Sequence, residues 1–190
     1  LFYNRGKQNH SVTYTFISNK IKSLQSSGAQ EAKNASHQLQ YDYLLKKHWL
    51  FTLSGKSFTS SSTSENYASR NFEIIGHQLA PKISYLFSKN ASLDIFYEKQ
   101  NKENKLGSNE SLKQSKFGTS FSFASEKKLT VNGEFSWFDN QFVGSEFSPV
   151  AFQMLEGLQP GKNLTWRLLL QKNLTEYLDI NINYLGRKSE

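Results

Sequence analysis

Apolar and polar residues alternate one for one along almost the whole chain, the period of a β-strand whose side chains point in turn to opposite faces. Near the C-terminal end, Leu178, Ile180, Ile182 and Tyr184 alternate with Asp179, Asn181 and Asn183. Before them, Leu164, Trp166, Leu168 and Leu170 alternate with Thr165, Arg167 and Gln171. Upstream, Leu129, Val131, Phe135 and Trp137 alternate with Thr130, Asn132, Glu134 and Ser136. The same parity recurs in Phe117, Phe121 and Phe123; in Leu93, Ile95 and Tyr97; and in Leu79, Ile83, Tyr85 and Phe87. It continues upstream through Trp49, Phe51 and Leu53, through Leu39, Tyr41, Tyr43 and Leu45, and through Val12, Tyr14 and Phe16. About nine such segments predict an all-β, antiparallel, up-and-down chain forming a single region over 1–190.

The joins alternate in length as well. Short ones fall near Lys46–His48, Lys89–Ala91, Glu126–Lys128 and Lys172–Thr175, and long polar ones near 22–36, 59–68, 101–113 and 139–162. A meander with tight turns at one end and long loops at the other is the layout of an outer-membrane β-barrel. A single helical pattern interrupts it. Val150, Phe152, Met154, Leu155 and Leu158 predict a short amphipathic helix over Pro149 to Leu158, ended by Gly157 and Pro160-Gly161.

Composition decides between a soluble sheet protein and a membrane barrel. Mean hydropathy is −0.60 and only 37% of residues are hydrophobic, yet 14% are aromatic, and the aromatics sit on one parity. No apolar run approaches the roughly 20 residues of a membrane helix. That excludes membrane-spanning helices, but a barrel exposes only alternate residues to lipid. The expected lipid-facing or interfacial set is Tyr14, Phe16, Tyr41, Tyr43, Trp49, Phe51, Tyr85, Phe87 and Tyr97, continued by Phe121, Phe123, Phe135, Trp137, Trp166, Leu168, Ile180, Ile182 and Tyr184. Trp49, Trp137, Trp166 and Tyr184 read as strand-end girdle residues. The opposite parity carries charge in mid-strand, so Asp42, Lys56, Lys82, Asp94, Glu98, Lys116, Glu134, Arg167 and Asp179 are expected to face a wet lumen. The alternative is a soluble all-β ligand- or glycan-binding module.

Gly157-Leu158-Gln159-Pro160-Gly161-Lys162-Asn163-Leu164-Thr165-Trp166 and Tyr184-Leu185-Gly186-Arg187-Lys188-Ser189-Glu190 resemble the final hairpin of large outer-membrane β-barrel proteins of Bacteroidota. The resemblance covers roughly the last 45 residues and is one of pattern elsewhere. It implies a bacterial outer-membrane location and brings no catalytic residues. An odd strand count, a last strand heading for the long-loop end and the lack of a terminal aromatic set one more expectation: the chain is part of a larger barrel.

Specific chemistry is sparse. With no cysteine, thiolate zinc sites, disulfides and cysteine nucleophiles are excluded. His10, His37, His48 and His77 lack metal-ligand spacing, and no nucleophile elbow or phosphate loop occurs. The reading is therefore of a non-enzyme without cofactor. The net charge of +7 is scattered opposite the aromatics, which argues against a nucleic-acid platform and for contact with lipid, lipopolysaccharide or the lumen. The expected role is membrane anchor, scaffold or accessory subunit of an envelope complex, around a passage or plugged lumen. Its partners would be outer-membrane lipid and other envelope proteins.

Overall fold

The structure, a computed structural model, describes residues 2–3, 9–25, 28–107, 110–125, 129–175 and 177–190. It is all-β: one antiparallel sheet in which each strand pairs with its neighbours in sequence. The two-residue β1 (Phe2–Tyr3) is followed by nine long strands: β2 (His10–Gln25), β3 (Gly28–Leu45), β4 (Trp49–Ser64), β5 (Phe72–Ser88), β6 (Ala91–Asn104), β7 (Ser111–Ser125), β8 (Leu129–Val143), β9 (Gly161–Thr175) and β10 (Leu178–Ser189). No pairing joins β10 back to the first strands among the described residues, so the sheet is open.

The strands are longer than the alternation predicts, and the expected long loops shrink accordingly. Of 22–36, all but 26–27, which lie outside the described residues, is strand. The 59–68 loop becomes 65–71, with a 3-10 turn at Ala68–Arg70. Of the 101–113 loop only 105–107 and 110 remain outside the strands, 108–109 lying outside the described residues, and 139–162 becomes 144–160. The reason is chemical. In stretches such as Ser60-Ser61-Ser62-Thr63-Ser64 both faces are polar, so no parity is visible, yet the backbone ladder needs only a partner. Side chains tie it further: Ser60 Oγ donates to Asn34 Oδ1 at 2.6 Å and Gln30 Nε2 to Ser62 Oγ at 3.2 Å. At the other end the joins at 46–48 and 89–90 are turns. Lys172–Thr175 proves to be the end of β9, with the reversal falling after Thr175, and 126–128 lies outside the described residues.

The ladder is staggered. Trp49 opens β4, and its successive register partners are Tyr85, Leu93, Phe121 and Gly133. β8 nevertheless opens at Leu129, four residues before Gly133. Over the four strand steps from β4 to β8, the tight-turn edge thus descends four residues. The trend continues: Gly133 faces Leu168 and then Tyr184, six residues into β10 from Leu178.

Close approach between strands depends on glycine. Phe58 lies over Gly76, Phe96 over Gly118 and Trp166 over Gly186, each ring covering the residue opposite it in the neighbouring strand. A Cβ on Gly118 would stand 2.5 Å from Phe96 Cζ and 2.7 Å from the Phe135 carbonyl oxygen, and a backbone atom cannot yield. Gly118→Ala is expected to destabilise by about 1–3 kcal/mol. Gly133→Ala, with nothing within 4 Å of its Cβ, should be neutral or stabilise by up to about 1 kcal/mol. Equilibrium unfolding of the two variants in parallel checks the contrast.

The segment 144–160 holds the one α-helix among the described residues, α1 (Pro149–Leu155), three residues shorter than its sequence pattern. Ser148 caps it by accepting the Ala151 amide at 3.0 Å, and Pro149 supplies a ready-made first-turn φ. Glu156 (φ 55°) and Gly157 (φ 78°) end it in the left-handed region.

Candidate functional site: two opposed faces and a seated helix

Residues directly opposite in an antiparallel ladder share a face, so the register sorts every strand side chain. One row runs Tyr43, Phe51, Ile83, Ile95, Thr119, Phe135, Trp166, Gly186. Another runs Leu45, Trp49, Tyr85, Leu93, Phe121, Gly133, Leu168, Tyr184. Together with Tyr14 and Phe16 on β2, Tyr41, Tyr97, Phe123, Trp137, Ile180 and Ile182, they make one nearly continuous apolar face. Phe87 lies at a β-bulge and packs edge-on against Tyr85, 4.8 Å between ring centroids. The eighteen residues read from the sequence as one set thus lie together, and most of them are exposed.

The apolar face is banded. It spans seven residues on β3 (Leu39–Leu45), nine on β5 (Leu79–Phe87) and seven on β9 (Leu164–Leu170). Beyond it, away from the tight turns, the same face becomes polar: Lys20, Lys33, Ser57, His77, Lys99, Ser115, Asp139 and Lys162. Trp137 and Trp166 therefore mark the upper part of the band, not the strand ends, because β8 and β9 run on past them. Only Trp49 opens its strand. Rings cluster at the tight-turn edge, with Trp49 and His48 on Tyr85 and His10 on Tyr43. Two histidines that carried no sequence signal pair with tyrosines across strands: His10 Nδ1 is 2.8 Å from Tyr41 Oη, and His37 Nδ1 is 2.7 Å from Tyr14 Oη.

The other face gathers Asp42, Lys56, Lys82, Asp94, Glu98, Lys116, Glu134, Arg167 and Asp179. Their hydrogen bonds run across strands and along them. Asp42 accepts from Thr52 Oγ1 at 2.7 Å and from Gln40, Asp94 accepts from Ser120 at 3.2 Å, and Lys116 Nζ meets Glu134 Oε1 at 3.0 Å. All the buried polar strand residues, among them Ser84, Gln100, Gln114, Ser136 and Asn163, belong to this face. Among the described residues no buried side-chain polar atom lacks a partner. On the strands the polar face thus holds the buried polar side chains, while the large apolar side chains of the opposite face are mostly exposed.

At the long-loop end, α1 lies against this polar face. Val150, Ala151, Met154 and Leu155 are buried with Ile74 and Leu112, and Phe58, Phe72 and Phe142 pack around them. Lys102, 4% exposed, is held beneath the helix. Its Nζ donates to the Met154 carbonyl at 2.8 Å and to Glu156 Oε1 at 2.6 Å. Asn163 and Asn140 both donate to the Gln159 carbonyl, at 2.7 and 3.0 Å, which fastens the far end of the segment. Lys102 fell within an expected loop and carried no sequence signal; only the register brings it under α1. Farther out on the apolar-face side, Lys33, Lys22 and Lys20 surround Glu31 and hold its carboxyl down to about 2, chiefly through the hydrogen bonds from Lys33 and Lys22.

No protein-family model matches the chain, and no curated protein matches it. The functional reading therefore rests on the two faces and the seated helix.

Proposed function

We propose that this sheet is the wall of an outer-membrane β-barrel that serves as the membrane anchor or scaffold of an envelope complex. Its apolar face meets lipid. Its polar face lines a lumen that the 144–160 segment narrows from the long-loop end.

The observation that carries the proposal is the stagger of the ladder, beside an apolar band that drifts through the register in the same sense, by two residues from Leu39–Leu45 on β3 to Leu164–Leu170 on β9. A descent of one residue, about 3.3 Å, per strand spacing of about 4.8 Å corresponds to strands inclined by about 35° to the normal of a level band. Barrel strands tilt by roughly 35–45°. An apolar band that crosses register rows is what a flat lipid slab requires of tilted strands. Its extent supports the same reading. Nine strands spaced at about 4.8 Å, each apolar for roughly 20 Å, present on the order of 800 Å², above the roughly 300–600 Å² of the largest patch on an ordinary soluble monomer.

The test is migration on a detergent gel. The refolded chain in detergent micelles should run as a compact species when unheated and as an extended one after boiling. A chain that stays monomeric in buffer without detergent sinks the proposal.

A further inference from the structure

The join between β3 and β4 is built against its own backbone preference. His48 N donates to the Leu45 carbonyl at 3.3 Å, and the two residues between, Lys46 (φ 52°) and Lys47 (φ 62°), both lie in the left-handed region. The three-residue join Lys46–His48 thus opens with two left-handed positions, which Asn and Gly occupy without strain and lysine occupies poorly. The chain nevertheless places two cations there. Lys89 occupies the next tight turn at the same end, and Lys172 faces outward opposite Ile180 near the turn between β9 and β10. None of the four has an ion-pair partner among the described residues. On the described apolar face, no carboxylate intervenes between these turns and Asp139, beyond the band.

A cation that stabilised the fold would have a partner, and one present only for solubility would not need a strained site. The neighbours point elsewhere. Lys46 and Lys47 adjoin Trp49, Tyr85 and His48, a ring cluster of the kind that settles at headgroup depth. We infer that the tight-turn end is a binding surface for anionic, phosphate-bearing lipid headgroups, with Lys46, Lys47, Lys89 and Lys172 as the contacting cations. The inference rests on the barrel reading above. It deepens it by naming the headgroup chemistry of the leaflet at the tight-turn end.

The full chain is offered vesicles of phosphatidylcholine alone or of phosphatidylcholine mixed with phosphatidylglycerol, and association is measured by flotation at low and high salt. Each lysine near an anionic surface contributes about fivefold in affinity. The double variant Lys46→Asn/Lys47→Gly should therefore lose about 25-fold of the preference for phosphatidylglycerol, and adding Lys89→Asn should bring the loss to on the order of 100-fold. High salt should erase the wild-type preference. The double variant is a favourable turn sequence, so its unfolding midpoint should equal or exceed that of the wild type, which separates lost binding from lost structure. Equal association of wild type and variants with both vesicles, with the heat-shifted band present throughout, overturns the inference and leaves the barrel standing. Absence of that band in either vesicle overturns both.

Discussion

Ile83→Arg is expected to destabilise the folded chain in a bilayer by about 2–4 kcal/mol, the penalty for a cation on the lipid face of a barrel near the midplane. Ile83 stands between Phe51 and Ile95 in the register and at the centre of the Leu79–Phe87 band on β5. It is 42% exposed, with its side chain directed away from the polar network. A substitution at such a site in a water-soluble protein changes stability by about 0.5 kcal/mol or less, and a charge there often improves solubility. The two environments thus predict effects of very different size at one residue. Urea titration of wild type and variant folded into phosphatidylcholine vesicles, followed by the heat-shifted band, measures the difference. A cost below about 0.5 kcal/mol would show that the face meets water.

Parity makes the two faces legible in the sequence alone, because a strand with one apolar face writes its orientation into every second residue. The assignment of Tyr85 and Ile83 to one face and of Lys82 and Ser84 to the other needs nothing more than counting. Strand ends were not legible by the same means. Beyond Phe58, β4 continues as Thr59-Thr/Ser residues whose two faces are equally polar, and only the pairing with β3 and β5 shows that it is strand. The stagger was hidden too, since a one-residue descent per strand belongs to the relation between strands and leaves no trace within any one of them. Pairs such as His10 with Tyr41 depend on that relation, being 31 residues apart.

The helix illustrates a different limit. Its start at Pro149 and its amphipathic pattern were legible in the sequence, but the Ser148 cap was not read there. Phe152, counted among its apolar residues, is 69% exposed, because seven residues make barely two turns and the buried stripe takes only Val150, Ala151, Met154 and Leu155. The seat itself could not be foreseen. Ile74, Leu112 and Lys102 lie on three different strands and sit among residues of otherwise polar parity. Within each strand they read as exceptions; together they form a socket.

That socket sets the second large effect. Met154 is fully buried among Ile74, Leu112 and the ring-bearing residues around them, so Met154→Ala should cost about 2–5 kcal/mol. The loss should be local, because the ladder beneath α1 is complete without the helix, and elements held by one small cluster open independently of the sheet. The Phe152 and Gly157 amides, bonded to the Ser148 and Phe152 carbonyls, should therefore exchange with solvent at least 30-fold faster, the factor that about 2 kcal/mol represents, while strand amides keep wild-type protection. The Lys102–Glu156 pair should respond unequally when either partner is cut. Lys102→Met removes a buried cation and leaves Glu156, whose side chain is 66% exposed, in water, so its cost is small. Glu156→Ala leaves the ammonium buried with the Met154 carbonyl as its remaining acceptor, so exchange of the helix amides should accelerate more than in Lys102→Met. Equal acceleration in the two variants would mean that the pair does not hold α1 on the sheet and that apolar packing alone does.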